Sequence, residues 1–162
     1  MLGHDHEDQV CSVARALEAV GQRWSLLIMR DLFVGVRRFD ALVESLGVTR
    51  SVLTRRLAHL EEHRIIERVV YQHSPLRFEY RPTAKGQGLL PVLAGLMQWG
   101  DRHYPHPAGP PRVLLHGDCG GEVDATSVRC VACGERPEFE EVHALPGPAL
   151  ADPSAGHRPD VL

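Results

Sequence analysis

Residues 39–63 read FDALVESLGVTRSVLTRRLAHLEEH, and the spacing of apolar positions in this stretch decides the fold. Phe39, Leu42, Val43 and Leu46 recur at helical period and stop at Gly47; Leu53, Leu57 and Leu60 resume the period afterwards. Two amphipathic helices joined by Gly47-Val48-Thr49 predict a helix-turn-helix, because a short turn containing glycine permits a near-perpendicular crossing. Thr49 and Ser51 both carry the side-chain oxygen that an N-cap needs, so either can open the second helix. With its three leucines facing inward, Arg50, Ser51, Thr54 and Arg55 fall on or near the outer face, toward the N-terminal half. Arg56 lies closer to the buried side, placed to brace the helix or reach a phosphate. In this motif that half enters the major groove of double-stranded DNA. Hydroxyls there contact bases or phosphates, and arginine takes a guanine with two hydrogen bonds.

Outward from this pair, two further helices precede it. Val13, Leu17 and Val20 mark the first, closed by Gly21; Trp24, Leu27, Ile28 and Leu32 mark the second, which ends near Gly35. Downstream, Ile65 to Tyr71 is rich in β-branched residues, His73-Ser74-Pro75 breaks it, and Arg77 to Arg81 alternates with period two. Two such runs across a Ser-Pro turn predict a β-hairpin, which makes the motif a winged one. The wing tip carries His73 and Arg77, with Arg81 at its base, suited to phosphate or minor-groove contact. Thr83 then caps a helix whose apolar face holds Leu89, Leu90, Leu93, Leu96, Met97 and Trp99, and Pro91 inside it predicts a kink or a division. The fold class expected is mainly α with a small β-hairpin wing, a winged helix-turn-helix domain over residues 1–104.

The chain has 162 residues, 43% hydrophobic and 24% charged, which fits a soluble globular domain with an appendage. No apolar run approaches membrane-spanning length, and the polar, acidic start MLGHDHEDQV does not read as a signal peptide, so a cytoplasmic location with no membrane partner is expected. The net charge of −3 is unpromising for a nucleic-acid binder, but the charge is segregated. From Arg50 to Lys85 eight basic residues face four acids; from Val113 onward three arginines face nine acids. One part of the chain can therefore carry a basic face while the whole stays acidic.

Residues 105–112 are a linker by composition, beginning PHPAGPP. Within residues 113–143, His116-x2-Cys119, ten residues, then Cys130-x2-Cys133 offers four zinc ligands in two close pairs, with Gly120 and Gly134 after them to make the tight turns. This segment has few large apolar residues, so Zn2+ would supply its folding energy as a small zinc-ribbon-like module. All four positions are filled by protein, which favours a structural over a catalytic metal; a redox dithiol at Cys130 and Cys133 is the weaker alternative. Residues 144–162, with four Pro, two Gly and no periodicity, read as a disordered tail.

Several separate motifs then resemble one family. Cys11-Ser-Val-Ala-Arg-Ala-Leu, Gly21-Gln-Arg-Trp-Ser-Leu-Leu-Ile-Met-Arg-Asp-Leu32, Gly35 with Arg38-Phe39, and Thr83-Ala-Lys-Gly86 are similar, in this order, to HxlR-type regulators, relatives of the MarR regulators. The resemblance covers residues 8–104 and implies a homodimeric winged-helix transcriptional regulator on a two-fold, palindromic operator. It further implies that the first helix and the one after the wing form the dimer interface, dividing Leu89, Leu93, Leu96, Met97 and Trp99 between core and partner contacts. Some members use a cysteine near the first helix as a thiol-stress switch, and Cys11 matches that position. A helix N-terminus favours a thiolate while Glu7 and Asp8 oppose it; the bland alternative for Cys11 is a small buried hydrophobe. An oxidant acting at Cys11 and a small-molecule ligand are the two effectors considered. The competing function is a protein-interaction module whose winged helix has left DNA. An enzyme is disfavoured, since no Ser-His-Asp arrangement, phosphate loop or carboxylate pair is recognisable.

Overall fold

The computed structural model describes residues 10–115 and, beyond them, residues 122, 124, 125 and 132–134. The described residues up to Thr83 form one compact unit and those from Ala84 onward a second.

The first unit runs α1 (Ser12–Val20), α2 (Ser25–Phe33), α3 (Phe39–Leu46), α4 (Arg50–Glu62), β1 (Ile66–His73) and β2 (Leu76–Pro82). Its core follows the apolar period of α3 and α4 closely, whereas Val13 and Leu17 of α1 and Leu27 of α2, expected on apolar stripes, are exposed. Ile28, Met29 and Leu32 of α2, Leu42 and Leu46 of α3, and Leu53, Leu57 and Leu60 of α4 are buried with Ile65 and Ile66. α4 packs against α3, α1 and β1, while α2 packs against α3 and β2. Truncating one of these leucines to alanine removes apolar contact and leaves a cavity, a loss of roughly 2–5 kcal/mol.

The turn between α3 and α4 depends on two residues. Gly47 ends α3 at φ 61°, ψ 33°, its N–H bonded to Val43 O, a left-handed conformation that glycine adopts without steric cost. Thr49, not Ser51, is the N-cap of α4: its Oγ1 accepts from the Val52 N–H at 3.4 Å, and Ser51 lies inside the helix. Trp24, expected within the second helix, instead precedes it at φ 83° as its N-cap.

β1 and β2 pair antiparallel from Ile66 opposite Pro82 to His73 opposite Leu76, with an irregularity between Val70 and Gln72. The segment before α3 adds a further edge: Arg38 bridges Glu79, and the Tyr80 N–H donates to Arg37 O at 2.9 Å. The hairpin's base is closed by Thr83, whose hydroxyl donates to Arg64 O at 2.7 Å and Ile65 O at 3.2 Å.

In the second unit α5 (Ala84–Gln87) and α6 (Leu90–His103) are separate helices, so the proline divides rather than kinks. Pro91 stands in the first turn of α6, where its missing N–H has no intrahelical partner to lose. Farther on, Leu115 bridges Glu122, the Ala125 N–H donates to Gln98 Oε1 at 2.8 Å, and Gly134 has φ 74°. No helix among the described residues is long and apolar enough to cross a membrane. The proposed tail, residues 144–162, lies outside the described residues.

Candidate nucleic-acid interface

Burial of Leu53, Leu57 and Leu60 turns the opposite face of α4 outward. Arg50, Ser51, Thr54 and Arg55 are exposed, and Arg56 is half-buried. The arginines differ in company. Arg50 Nη1 lies 2.5 Å from Asp40 Oδ1, and its guanidinium sits 4.7 Å from the centroid of Phe39, so it spans from α4 back to α3. Arg55 and Arg56 make no ion pair among the described residues.

The hairpin repeats this division. His73 and Arg77 are exposed at the tip, with Pro75 and Leu76 exposed between them. Along the strands, Arg68 pairs with Glu61 at 3.2 Å and lies over Phe78. Arg81, expected as a contact residue at the wing's base, is bound by Glu79 at 2.6 Å, which lowers its availability to a phosphate. Tyr80 lies in this paired region. Burial first, and the negative charge of Glu61 second, raise its phenol above the ordinary 10.0, while Arg68 opposes the rise.

Two exposed cations escaped the sequence reading as site residues. Arg37 and Arg38 precede α3 and run beside β2; Arg38 stacks over Tyr71 at 4.7 Å, and Arg37 makes no ion pair among the described residues. The adjacent pair was visible as a local basic doublet, but its pairing with residues some forty positions later left no local signal.

Cys11 is the N-cap residue of α1 and is exposed in the single chain rather than buried in its core. Its carbonyl accepts the first helical bond, from the Arg15 N–H at 3.0 Å. On α6, Leu96 and Trp99 are half exposed, Leu93 and Met97 are partly covered, and Leu89 is the partly covered residue just before the helix. α1 likewise leaves Val13 and Leu17 in solvent while burying Ala14 and Val20. Of the four expected metal ligands, His116, Cys119 and Cys130 lie outside the described residues, and Cys133 is exposed in a turn before Gly134. No cluster of three or more metal-ligating side chains occurs among the described residues.

Comparison with known proteins agrees with this architecture. The chain is 46% identical over 149 residues to an uncharacterized HTH-type transcriptional regulator of Mycobacterium tuberculosis, Rv3095, covering 92% of each chain. Among solved structures it is similar to PA1607, a candidate transcription factor, with a TM-score of 0.78 and 34% identity over 88% of this chain and 99% of that one. It is also similar to the redox regulator HypR in its oxidized form, with a TM-score of 0.53 and 29% identity over 57% of this chain and 96% of that one. The model of the HxlR-like helix-turn-helix family matches residues 19–108, more than half of the sequence, and the chain belongs to that family.

Proposed function

We propose that this protein is a sequence-specific DNA-binding transcriptional regulator, acting as a homodimer on a palindromic operator. The observation that carries the reading is the outward N-terminal half of α4, where Ser51, Thr54 and Arg55 stand exposed on a helix held by a complete helix-turn-helix core. Arg55 supplies a two-pronged donor for a guanine edge, and the two hydroxyls reach bases or phosphates beside it. Arg77 and His73 at the wing tip, with Arg37 beside β2, supply phosphate contacts that set register without reading sequence. A second copy accounts for the apolar exposure of Val13 and Leu17 on α1 and of Leu96 and Trp99 on α6, which an isolated chain leaves in water.

Regulation enters through Cys11. Its thiol is solvent-accessible at the start of α1, and the similar protein HypR is a redox regulator, so an oxidant is the effector favoured over a small ligand. The Cys/His segment is assigned a structural Zn2+ on the chemistry of His116, Cys119, Cys130 and Cys133 alone.

The deciding experiment selects fragments from a genomic DNA library with purified, reduced protein at near-physiological salt. A recurrent palindrome with half-sites about one helical turn apart is expected. Diffuse, salt-sensitive capture with no common sequence would reject the operator-binding reading in favour of a protein-interaction module. Adding peroxide to the reduced complex tests the gate: release that persists in Cys11→Ser would remove Cys11 from the mechanism.

A further inference from the structure

A helix leaves its last four carbonyls without intrahelical partners. In α1 the Gly21 N–H takes Leu17 O at 2.7 Å. The next two, Glu18 O and Ala19 O, each lie 3.1 Å from Nε2 of His59, which belongs to α4. A carbonyl oxygen can only accept, so this nitrogen carries the hydrogen and donates it to both. The His63 ring packs against the same imidazole with centroids 4.4 Å apart, limiting its rotation. His59 is half-buried and stands one helical turn after Arg55.

Apolar packing of α1 on α4 adds contact of a less directional kind. α1 buries only the small side chains Ala14 and Val20. Contact between such residues resists separation but hardly resists rotation or sliding, because burial of apolar surface has no preferred direction. A hydrogen bond shared by two adjacent carbonyls fixes both position and roll.

We infer that His59 is a positioning residue for DNA recognition: its bond to the C-terminus of α1 anchors α4 against α1 and so refines the aim of Arg55 on a helix whose apolar face the core already holds. The inference rests on the DNA-binding reading above. It makes α1 a determinant of sequence readout through its C-terminal carbonyls.

The test compares wild type, His59→Gln and His59→Leu on the selected operator and on mixed-sequence duplex of equal length, with thermal stability measured in parallel. Glutamine places an amide donor near the position of Nε2; leucine fills space without donating. His59→Leu should lose about tenfold in operator affinity, on the order of one weakened guanine contact, with mixed-sequence binding unchanged. His59→Gln should recover most of that loss. Equal operator affinity in the leucine variant, or equal loss in both variants, would overturn the proposal whatever happens to the melting temperature. Should the leucine variant not fold, 15N correlation spectra of the wild-type imidazoles decide. A hydrogen on His59 Nε2 is expected, and a ring carrying its hydrogen on Nδ1 alone overturns the clamp. If wild type itself prefers no sequence, the DNA-binding reading fails, and the same spectra still judge the bond.

Discussion

The first turns of α4 and the hairpin both present arginine to solvent, yet the two regions hold their charges in different ways. On α4 the paired residue comes first: Arg50 is tied to Asp40 and lies over Phe39, while Arg55, five residues on, makes no ion pair among the described residues. In the hairpin the strands hold the paired residues, Arg68 with Glu61 and Arg81 with Glu79, while Arg77 at the tip makes no ion pair among the described residues. A basic excess counted along the sequence therefore overstates the charge available to a ligand. Among the arginines that make no ion pair within the described residues, Arg55 is aimed from a packed helix and Arg77 is carried at the end of a two-stranded ribbon. The first is suited to reading a base edge and the second to holding a phosphate.

The largest effect expected is that of Arg55→Ala. Removing a two-pronged donor to guanine should weaken operator binding by roughly 1–3 kcal/mol and relax discrimination at one position of each half-site. Competition between the operator and single-base variants reads this out. Uniform weakening across all variants would instead place Arg55 among the phosphate-binding residues and dissolve the contrast with Arg77.

Arg77→Ala should have the complementary signature. Without the wing-tip guanidinium to hold a phosphate, affinity should fall for every sequence alike, and the slope of log affinity against log salt should shrink by about 1 per site. Affinities measured across a salt series separate it from Arg55. A changed base preference with an unchanged slope would move the wing from positioning to readout.

Asp40→Asn probes the paired class. Both partners of Arg50–Asp40 are largely exposed, so the pair should contribute only about 0–1 kcal/mol to folding, and stability should barely move. Removing the carboxylate both frees Arg50 and deletes a negative charge near the proposed DNA face. Binding to mixed-sequence duplex should therefore strengthen a few-fold at low salt and converge with wild type at high salt. Unchanged binding at low salt would mean that Asp40 and Arg50 lie away from the DNA face.

The helix side of the comparison was far more legible in the sequence than the wing side. The boundaries of α3, the glycine that ends it and the outward set on α4 follow from apolar period and turn chemistry, both local properties of residues 39–63. Thr49 and Ser51 were equivalent as caps until the backbone placed Ser51 inside the helix. The hairpin was visible too, but the edge that Arg37 and Arg38 add to it was not, because it pairs residues remote in sequence. Nor was the sorting of arginines into paired and unpaired, which depends on contacts such as Glu61 with Arg68 between α4 and β1. The bond from His59 to α1 escaped for the same reason: a histidine on the inner flank of an amphipathic helix carries no mark of the helix end it will cap.

The smallest effect expected concerns the paired region itself. Tyr80 lies in the neighbourhood of Glu61 and Arg68, and its phenol titrates above 10.0 because burial and Glu61 disfavour the phenolate more than Arg68 favours it. Below the unfolded value both states hold the proton and no stability depends on it. As pH rises past that value the unfolded chain releases the proton while the folded chain retains it, so stability falls until the folded phenol also ionises. Tyr80→Phe removes this contribution. The difference in melting temperature between wild type and variant should be flat at neutral pH and should turn against wild type at roughly pH 10 and above. A difference that stays flat through that range would mean that Arg68 offsets burial and Glu61 together at the phenol. Arg68 would then act beyond its pairing with Glu61, and the contrast between paired and unpaired arginines would be weaker than the geometry suggests.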